Sequence, residues 1–309
     1  MKVIVYGSGA VGGYFGARLL KAGQEVSFIA RGDHLQAIRV NGIHITGASG
    51  DFIVHPTFVS NQPQDMGVAD LVIIAVKAWQ IPQILDGLQD LVGAQTLILP
   101  LQNGVDTPYL IENKLGQKPV IIGLCQISAQ VIAPGVIRHV GIEPYLAFGE
   151  FDNQITPRLL NLRQFFESAG LKAEIPVDIH AALWDKFLFI ASFGAIGAVT
   201  RAPAGVIRNI PQTRRLLEQV MGEILQVAKA YGIKLNDDVL QKRLEFIDRL
   251  PPETMASMAH DIIEKKPSEL DYLIGTVVRL GEAKGKEVPI SRSLSACLLP
   301  QEKTARKEI

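Results

Sequence analysis

The sequence predicts an α/β chain in two parts, a parallel-sheet domain over residues 1–177 and an all-helical domain over residues 178–309. Three observations lead there: an apolar strand at the start that breaks into a glycine-rich turn, an alternation of buried strands with helices as far as about Val177, and helical spacing with few strand signals beyond it. At 309 residues and 48% hydrophobic content the chain exceeds one ordinary core. A split into two domains follows.

The first element is Lys2-Val3-Ile4-Val5-Tyr6, which runs directly into Gly7-Ser8-Gly9-Ala10-Val11-Gly12 and a small-residue helix from Val11 to about Lys21. A strand, G-x-G-x-x-G and a helix in that order form a dinucleotide-binding signature of the Rossmann type. Gly7 permits the tight turn, Gly9 lets backbone approach a pyrophosphate, and Gly12 and Gly16 let the helix pack close. Ser8, Ala10 and Val11 complete the loop whose N–H groups would meet the phosphates at a positive helix end. A glycine turn in some other α/β protein is the plainer alternative, against which stands a second strand, Gln24 to Ala30, at the expected distance.

The end of that second strand speaks to the cofactor. An NAD site places Asp or Glu there, about 20 residues past the glycines, to bond the ribose 2′-hydroxyl. This chain has Ala30-Arg31. A guanidinium attracts the extra phosphate of NADP and can stack on adenine, so Arg31 selects NADP over NAD. Asp33 stands close enough to object, though past the strand end in a glycine-containing turn, and a solvated loop charge is the other reading of Arg31.

Onward, Asp70 to Val76, Thr96 to Leu101 and Val120 to Gly123 are buried strands by their apolar, β-branched runs. Ligands of parallel sheets lie beyond the carboxyl ends of the strands, which singles out Lys77, Gln80 and Gln102-Asn103-Gly104. Gly135 to Gly149 reads as antiparallel edge strands closing the domain. Segments near 179–198, 211–231, 236–248, 253–265 and 268–284 carry helical spacing. A small-molecule substrate is expected between the halves.

Charge says little about partners. With 31 basic and 31 acidic residues there is no electrostatic case for nucleic acid or an anionic membrane. The chain enters a strand at Lys2 with no cleavable leader, and no charge-free run reaches the ~18 residues of a membrane span, so the cytoplasm is the expected location. Cys125 and Cys297 show no paired spacing and read as reduced, packing thiols. No metal site is expected. The apolar helical half could support a homodimer, but those helices also need a core of their own.

At this level of detail the chain resembles the ketopantoate reductases (2-dehydropantoate 2-reductases) across nearly its whole length. The matching motifs are Gly7 to Gly12, Arg31, Val76-Lys77-Ala78-Trp79-Gln80, Gln102-Asn103-Gly104, Trp184-Asp185-Lys186, Ser257-Met258 with Asp261, and Ser268-Glu269-Leu270-Asp271-Tyr272. The resemblance implies NADPH-dependent reduction of ketopantoate to pantoate in pantothenate biosynthesis. It places a catalytic lysine at Lys186 and a substrate-binding glutamate at Glu269. It also places Asn103 between nicotinamide and substrate, Ser257 on the substrate carboxylate, and Lys77 and Gln80 on the cofactor side.

Local chemistry leaves each role with an ordinary rival. Lys186 interrupts an apolar stretch, Ala181 to Ile190, where an unpaired ammonium is costly. Such an amine can stabilise the charge that a hydride leaves on a carbonyl oxygen and supply the proton, or it can simply snorkel to solvent. Pro267-Ser268-Glu269-Leu270-Asp271 reads as a capping-box variant, with Ser268 as N-cap and Glu269 at the first helical position, where any acid is favoured. Asn103 could equally cap a helix starting near Val105. Ser257 could be an exposed helix serine, and Lys77 and Gln80 solvated loop residues.

One departure stands out. The family usually carries asparagines four and eight residues after the lysine, on its face of the helix, and here those positions are Ile190 and Gly194. A substrate unchanged from the family's would lose hydrogen-bond partners there, at about 1–3 kcal/mol each. Two further readings therefore stay open: a related reductase of another 2-oxo acid, and an NADP-binding sensor without turnover.

Overall fold

A computed structural model of the chain describes residues 1–141 and 143–309. Contacts divide it into two compact units, Met1–Gln102 with Thr107–Ile179, and Asn103–Asp106 with His180–Ile309. The short piece after the fifth strand of the main sheet thus belongs with the helices.

The first unit alternates β1 (Lys2–Tyr6), α1 (Ala10–Lys21), β2 (Glu25–Ile29), α2 (Gly32–Asn41), β3 (Ile43–Gly47), β4 (Phe52–Val54), β5 (Phe58–Ser60), β6 (Ala69–Ile74), α3 (Ile81–Gln89) and β7 (Val92–Pro100). It continues with α4 (Thr107–Leu115), β8 (Ile122–Gln126), β9 (Ala129–Ala133), β10 (Val136–His139), β11 (Tyr145–Gly149), α5 (Pro157–Ser168) and β12 (Lys172–Glu174). The main sheet is wholly parallel in the order β5-β2-β1-β6-β7. Its strands are apolar on both faces because both are covered. Val3 and Val5 pack into one cluster with Tyr14, Phe15 and Phe28, while Ile4 and Tyr6 pack into another with Ile81, Ile84 and Leu88.

The stretch expected as antiparallel edge strands is corrected. β10 pairs parallel with β3 and antiparallel with β9 in a four-stranded sheet, whereas β11 lies in a separate three-stranded sheet between β12 and β8. The two do not pair with each other, because each finds a partner from elsewhere in the chain. Ile142, within that stretch, lies outside the described residues.

The second unit holds α6 (Ile179–Thr200, entered at its first residue from the other unit), α7 (Ala204–Asn209), α8 (Pro211–Ala230), α9 (Val239–Arg249), α10 (Ser257–Ile263), α11 (Ile274–Ala283) and α12 (Pro289–Ala305). In α8, Leu217, Val220, Met221, Ile224, Val227 and Ala228 make the buried stripe that a 3.6 period demands. Helix α6 is long and apolar enough to cross a membrane by length and composition, yet 67% of its most apolar window is buried within the protein. The segment 268–284 is not one helix. It splits into a single tight turn, Leu270–Tyr272, and α11.

Helix α12 begins on a buried carboxylate. Glu223 of α8 accepts the N–H groups of Ile290 and Ser291, both at 2.8 Å, and the Ser291 hydroxyl at 2.6 Å. The free N–H groups of the helix start are thereby satisfied from a neighbouring helix. Cys125 is buried, but Cys297 on α12 is exposed rather than packed.

Candidate active site

In the first unit, β1 ends at Tyr6 and the glycine turn follows at once. Gly7 has φ +104°, and a Cβ there would stand 2.7 Å from the Val76 nitrogen, so only glycine lets β1 turn beside β6. A Cβ on Gly12 would stand 2.0 Å from the Gly7 carbonyl oxygen. At Gly9 the opposite holds: it is exposed and has nothing within 4 Å of a Cβ position. Helix α1 starts there without a side-chain cap and without an acidic residue in its first turn. Its leading N–H groups, from Ala10 and Val11 onward, are of the kind that receive phosphate, so the cradle fits a dinucleotide's pyrophosphate.

Arg31 is the exposed residue that opens α2, and its guanidinium lies against the Tyr6 hydroxyl at the end of β1. Burial raises the Tyr6 phenol above its ordinary range, and the Arg31 cation partly offsets that. Asp33 occupies the first turn of α2, an exposed helical position rather than the loop expected for it. Lys77 and Gln80 are both half-buried after β6. Gln80 has a local duty, its Oε1 accepting the Lys77 N–H at 3.1 Å, and the Lys77 amine sits 5.5 Å from the Trp79 ring centre. Gln102 straps the end of β6, donating from Nε2 to the carbonyls of Ile74 and Val76 at 2.9 Å each. Its Oε1 is buried and has no partner among the described residues.

In the second unit, Asn103 donates from Nδ2 to the Glu269 Oε2 at 3.0 Å, although 166 positions separate them. The expected capping role of Asn103 is corrected, because α4 starts at Thr107, three residues later than a helix capped by Asn103 would. Glu269 is only 4% exposed. It precedes the tight turn rather than occupying the first position of a helix. Ser268 Oγ does accept the Leu270 N–H at 3.2 Å, but the reciprocal partner is not Asp271. Glu302 of α12 fills that role, receiving the Ser268 N–H on both oxygens at 3.0 Å and its hydroxyl at 2.5 Å.

Arg306 closes this cluster, donating to Glu302 at 2.6 Å and to the Ser268 carbonyl at 2.9 Å. On the Asn103 side, the Asp106 carboxylate accepts from Thr276 at 3.0 Å and from Arg279 at 2.9 Å. Both arms of the Asn103–Glu269 pair are therefore tied to the helices, the Glu269 side by buried or half-buried polar bonds and the Asn103 side by the half-buried Thr276 bond and the exposed Arg279 one. Sequence reasoning missed these supports. The only local sign was the Glu302/Arg306 spacing of one helical turn.

Lys186 lies half-buried on α6, between the buried Trp184 and Phe187. Among the described residues it makes no hydrogen bond or ion pair, and neither it nor Ser257 is bonded to the Asn103–Glu269 pair. Its neighbour Asp185 is gripped by the Arg243 fork, with both contacts at 2.5 Å. Ile190 is half-buried, and a Cβ on buried Gly194 would stand 3.3 Å from the Met258 methyl and 3.8 Å from the Ala256 Cβ. Ser257 is exposed at the first residue of α10. Among the described residues no cluster of His, Cys, Asp or Glu could hold a metal ion.

A parallel sheet entered through a glycine cradle, followed by a helical unit, defines a Rossmann-type two-part protein. The chain matches the family model described as ketopantoate reductase PanE/ApbA over residues 3–153, and the model of that family's C-terminal part over residues 178–302. It belongs to the ketopantoate reductase PanE/ApbA family and is an oxidoreductase. A 2-dehydropantoate 2-reductase of Mesorhizobium japonicum is 29% identical to it over 310 aligned residues, covering 94% of each chain. The crystal structure of a PanE/ApbA family ketopantoate reductase from Ralstonia eutropha superposes with a TM-score of 0.91 at 32% identity, covering 99% of this chain and 100% of that one. D-mandelate dehydrogenase in a ternary structure with NADH and anilino(oxo)acetate also reaches 0.91, at 22% identity, which is a likeness of fold.

Proposed function

We propose that the protein reduces ketopantoate (2-dehydropantoate) to pantoate with NADPH. The observation that carries the reading is the Asn103–Glu269 pair, two residues that local sequence assigns to separate helix starts and that bond each other at 3.0 Å. Relatives named 2-dehydropantoate 2-reductase, at 27–29% identity over more than 90% of the chain, support the substrate.

The chain's own groups divide the work. Gly7, Ser8, Gly9, Ala10, Val11 and Gly12 cradle the pyrophosphate, with Lys77, Gln80 and Asn103 toward the rest of the cofactor. Arg31, in the place where an NAD site needs a carboxylate, pairs with the 2′-phosphate. A reduced nicotinamide, when bound, would supply the hydride that the carbonyl carbon takes up. Lys186 stabilises the negative charge that develops on the carbonyl oxygen and donates the proton there. With no hydrogen bond or ion pair among the described residues, its ammonium is available for that duty. Glu269 accepts a hydrogen bond from a substrate hydroxyl, held in aim by the Asn103 amide, and Ser257 bonds the substrate carboxylate. The substrate is a small molecule, and the domains divide near residues 177 and 178.

A second reading has its own observation. Past Lys186 the α6 face offers Ile190 and then Gly194 against the Met258 methyl, an apolar wall that suits a branched or bulky 2-oxo acid as well as ketopantoate. NADPH oxidation followed at 340 nm against ketopantoate and a panel of such acids separates the two by kcat/KM. Binding of NADPH without oxidation by any of them would turn the reading to a cofactor-binding sensor. Lys186→Ala should lower kcat about 10²–10⁴-fold, the usual scale for removing a general acid, with NADPH binding unchanged. Undiminished turnover would remove Lys186 from the chemistry.

A further inference from the structure

We propose that His34 is a positioning residue for the cofactor, holding the glycine turn so that the Gly9 N–H faces the pyrophosphate. The proposal rests on the reading of Gly7 to Gly12 as the dinucleotide cradle. His34 is half-buried in α2, three residues past Arg31, and both ring nitrogens are engaged. Nδ1 stands 3.0 Å from the Gly135 nitrogen and Nε2 stands 2.7 Å from the Ser8 carbonyl oxygen.

Those two partners determine the tautomer. The Gly135 N–H can only donate, so Nδ1 presents its lone pair. The Ser8 carbonyl can only accept, so the single proton of the neutral ring sits on Nε2 and is donated to it. The ring is thus a directional strut that reads a donor at one end and an acceptor at the other.

The consequence for the turn follows from peptide geometry. There is no cis peptide among the described residues, and in a trans unit the carbonyl of Ser8 and the N–H of Gly9 point in opposite directions. Drawing the carbonyl toward α2 turns the Gly9 N–H the other way. Ser8 is 4% exposed, whereas Gly9 is exposed and its Cβ position is empty to 4 Å, so the N–H is turned from the packed side to the open side. Preorganising that donor spares the bound phosphate the cost of ordering a loose glycine peptide. Because Arg31 opens the same helix, one side chain also couples the pyrophosphate turn to the element bearing the residue for the 2′-phosphate.

Two near-isosteres cut the strut at opposite ends. His34→Asn places an amide oxygen where Nδ1 was, keeping the Gly135 contact and losing the donor to Ser8. His34→Gln places an amide nitrogen where Nε2 was, keeping the donor to Ser8 and losing the acceptor for Gly135. Both remove one hydrogen bond and a ring, so a merely structural role predicts equal effects. NADPH binding measured by fluorescence titration should weaken about 10-fold in His34→Asn, the scale of one hydrogen bond, and stay within about 3-fold of the unaltered protein in His34→Gln. Thermal melts of the two variants without nucleotide should coincide, and kcat at saturating NADPH should be unchanged while KM for NADPH follows the binding constants. Equal weakening in both variants, or undiminished binding in His34→Asn, would overturn the proposal. Failure of the unaltered protein to bind either NADPH or NADH would overturn the cradle reading itself, and His34's role with it.

Discussion

Replacing Glu302 by alanine tests how the Asn103–Glu269 pair is supported. The carboxylate is 2% exposed and serves three donors: the Ser268 N–H, the Ser268 hydroxyl and the Arg306 guanidinium. Its removal deprives a buried backbone donor and a buried hydroxyl of their acceptor and a cation of one of its acceptors. One-sided deletion of a buried ion pair costs about 3–5 kcal/mol. Arg306 keeps 19% side-chain exposure and its bond to the Ser268 carbonyl, which lets it turn partly to water and puts the expectation near the lower end, at ~3 kcal/mol. Glu302→Gln keeps one oxygen for the Ser268 N–H and should lose only about 1–2 kcal/mol.

Urea unfolding followed by tryptophan fluorescence reads the change, Trp184 reporting from α6 of the same unit and Trp79 from the other. Because Ser268 adjoins Glu269, KM for the oxo acid should rise in both variants, with NADPH binding unmoved. A loss below about 1 kcal/mol in Glu302→Ala, smaller than one unmet buried donor, would refute the reasoning.

Two further outcomes test the cofactor side. Arg31→Ala should weaken NADPH about 10–100-fold, the worth of charge-assisted bonds to a phosphate, and leave NADH nearly unchanged. Titration of both nucleotides checks this, and equal losses would count against a 2′-phosphate role. Gly12→Ala forces a methyl to within 2.0 Å of the Gly7 carbonyl oxygen, so the turn must open. Nucleotide binding should vanish and the melting temperature fall, whereas a variant that binds normally would contradict the packing described for α1 on β1.

Elements with a local cause were legible in the chain itself. The β1–glycine–α1 entrance follows from small residues at fixed spacing after an apolar run, and the parallel sheet follows from strands such as Leu71–Ile74 that are apolar on both faces. The helical half announces itself by stripes such as Leu217, Val220, Met221 and Ile224. These patterns need no distant partner.

What the tertiary structure alone decided is the pairing of polar groups across long separations. Ser268 finds Glu302 and not Asp271, Asn103 finds Glu269 and not the start of α4, and His34 joins Ser8 to Gly135. Likewise β10 joins β3, more than ninety positions earlier. The physical reason is that a buried donor takes whichever acceptor the fold carries to within about 3 Å, and local propensity holds no information about which distant residue that is.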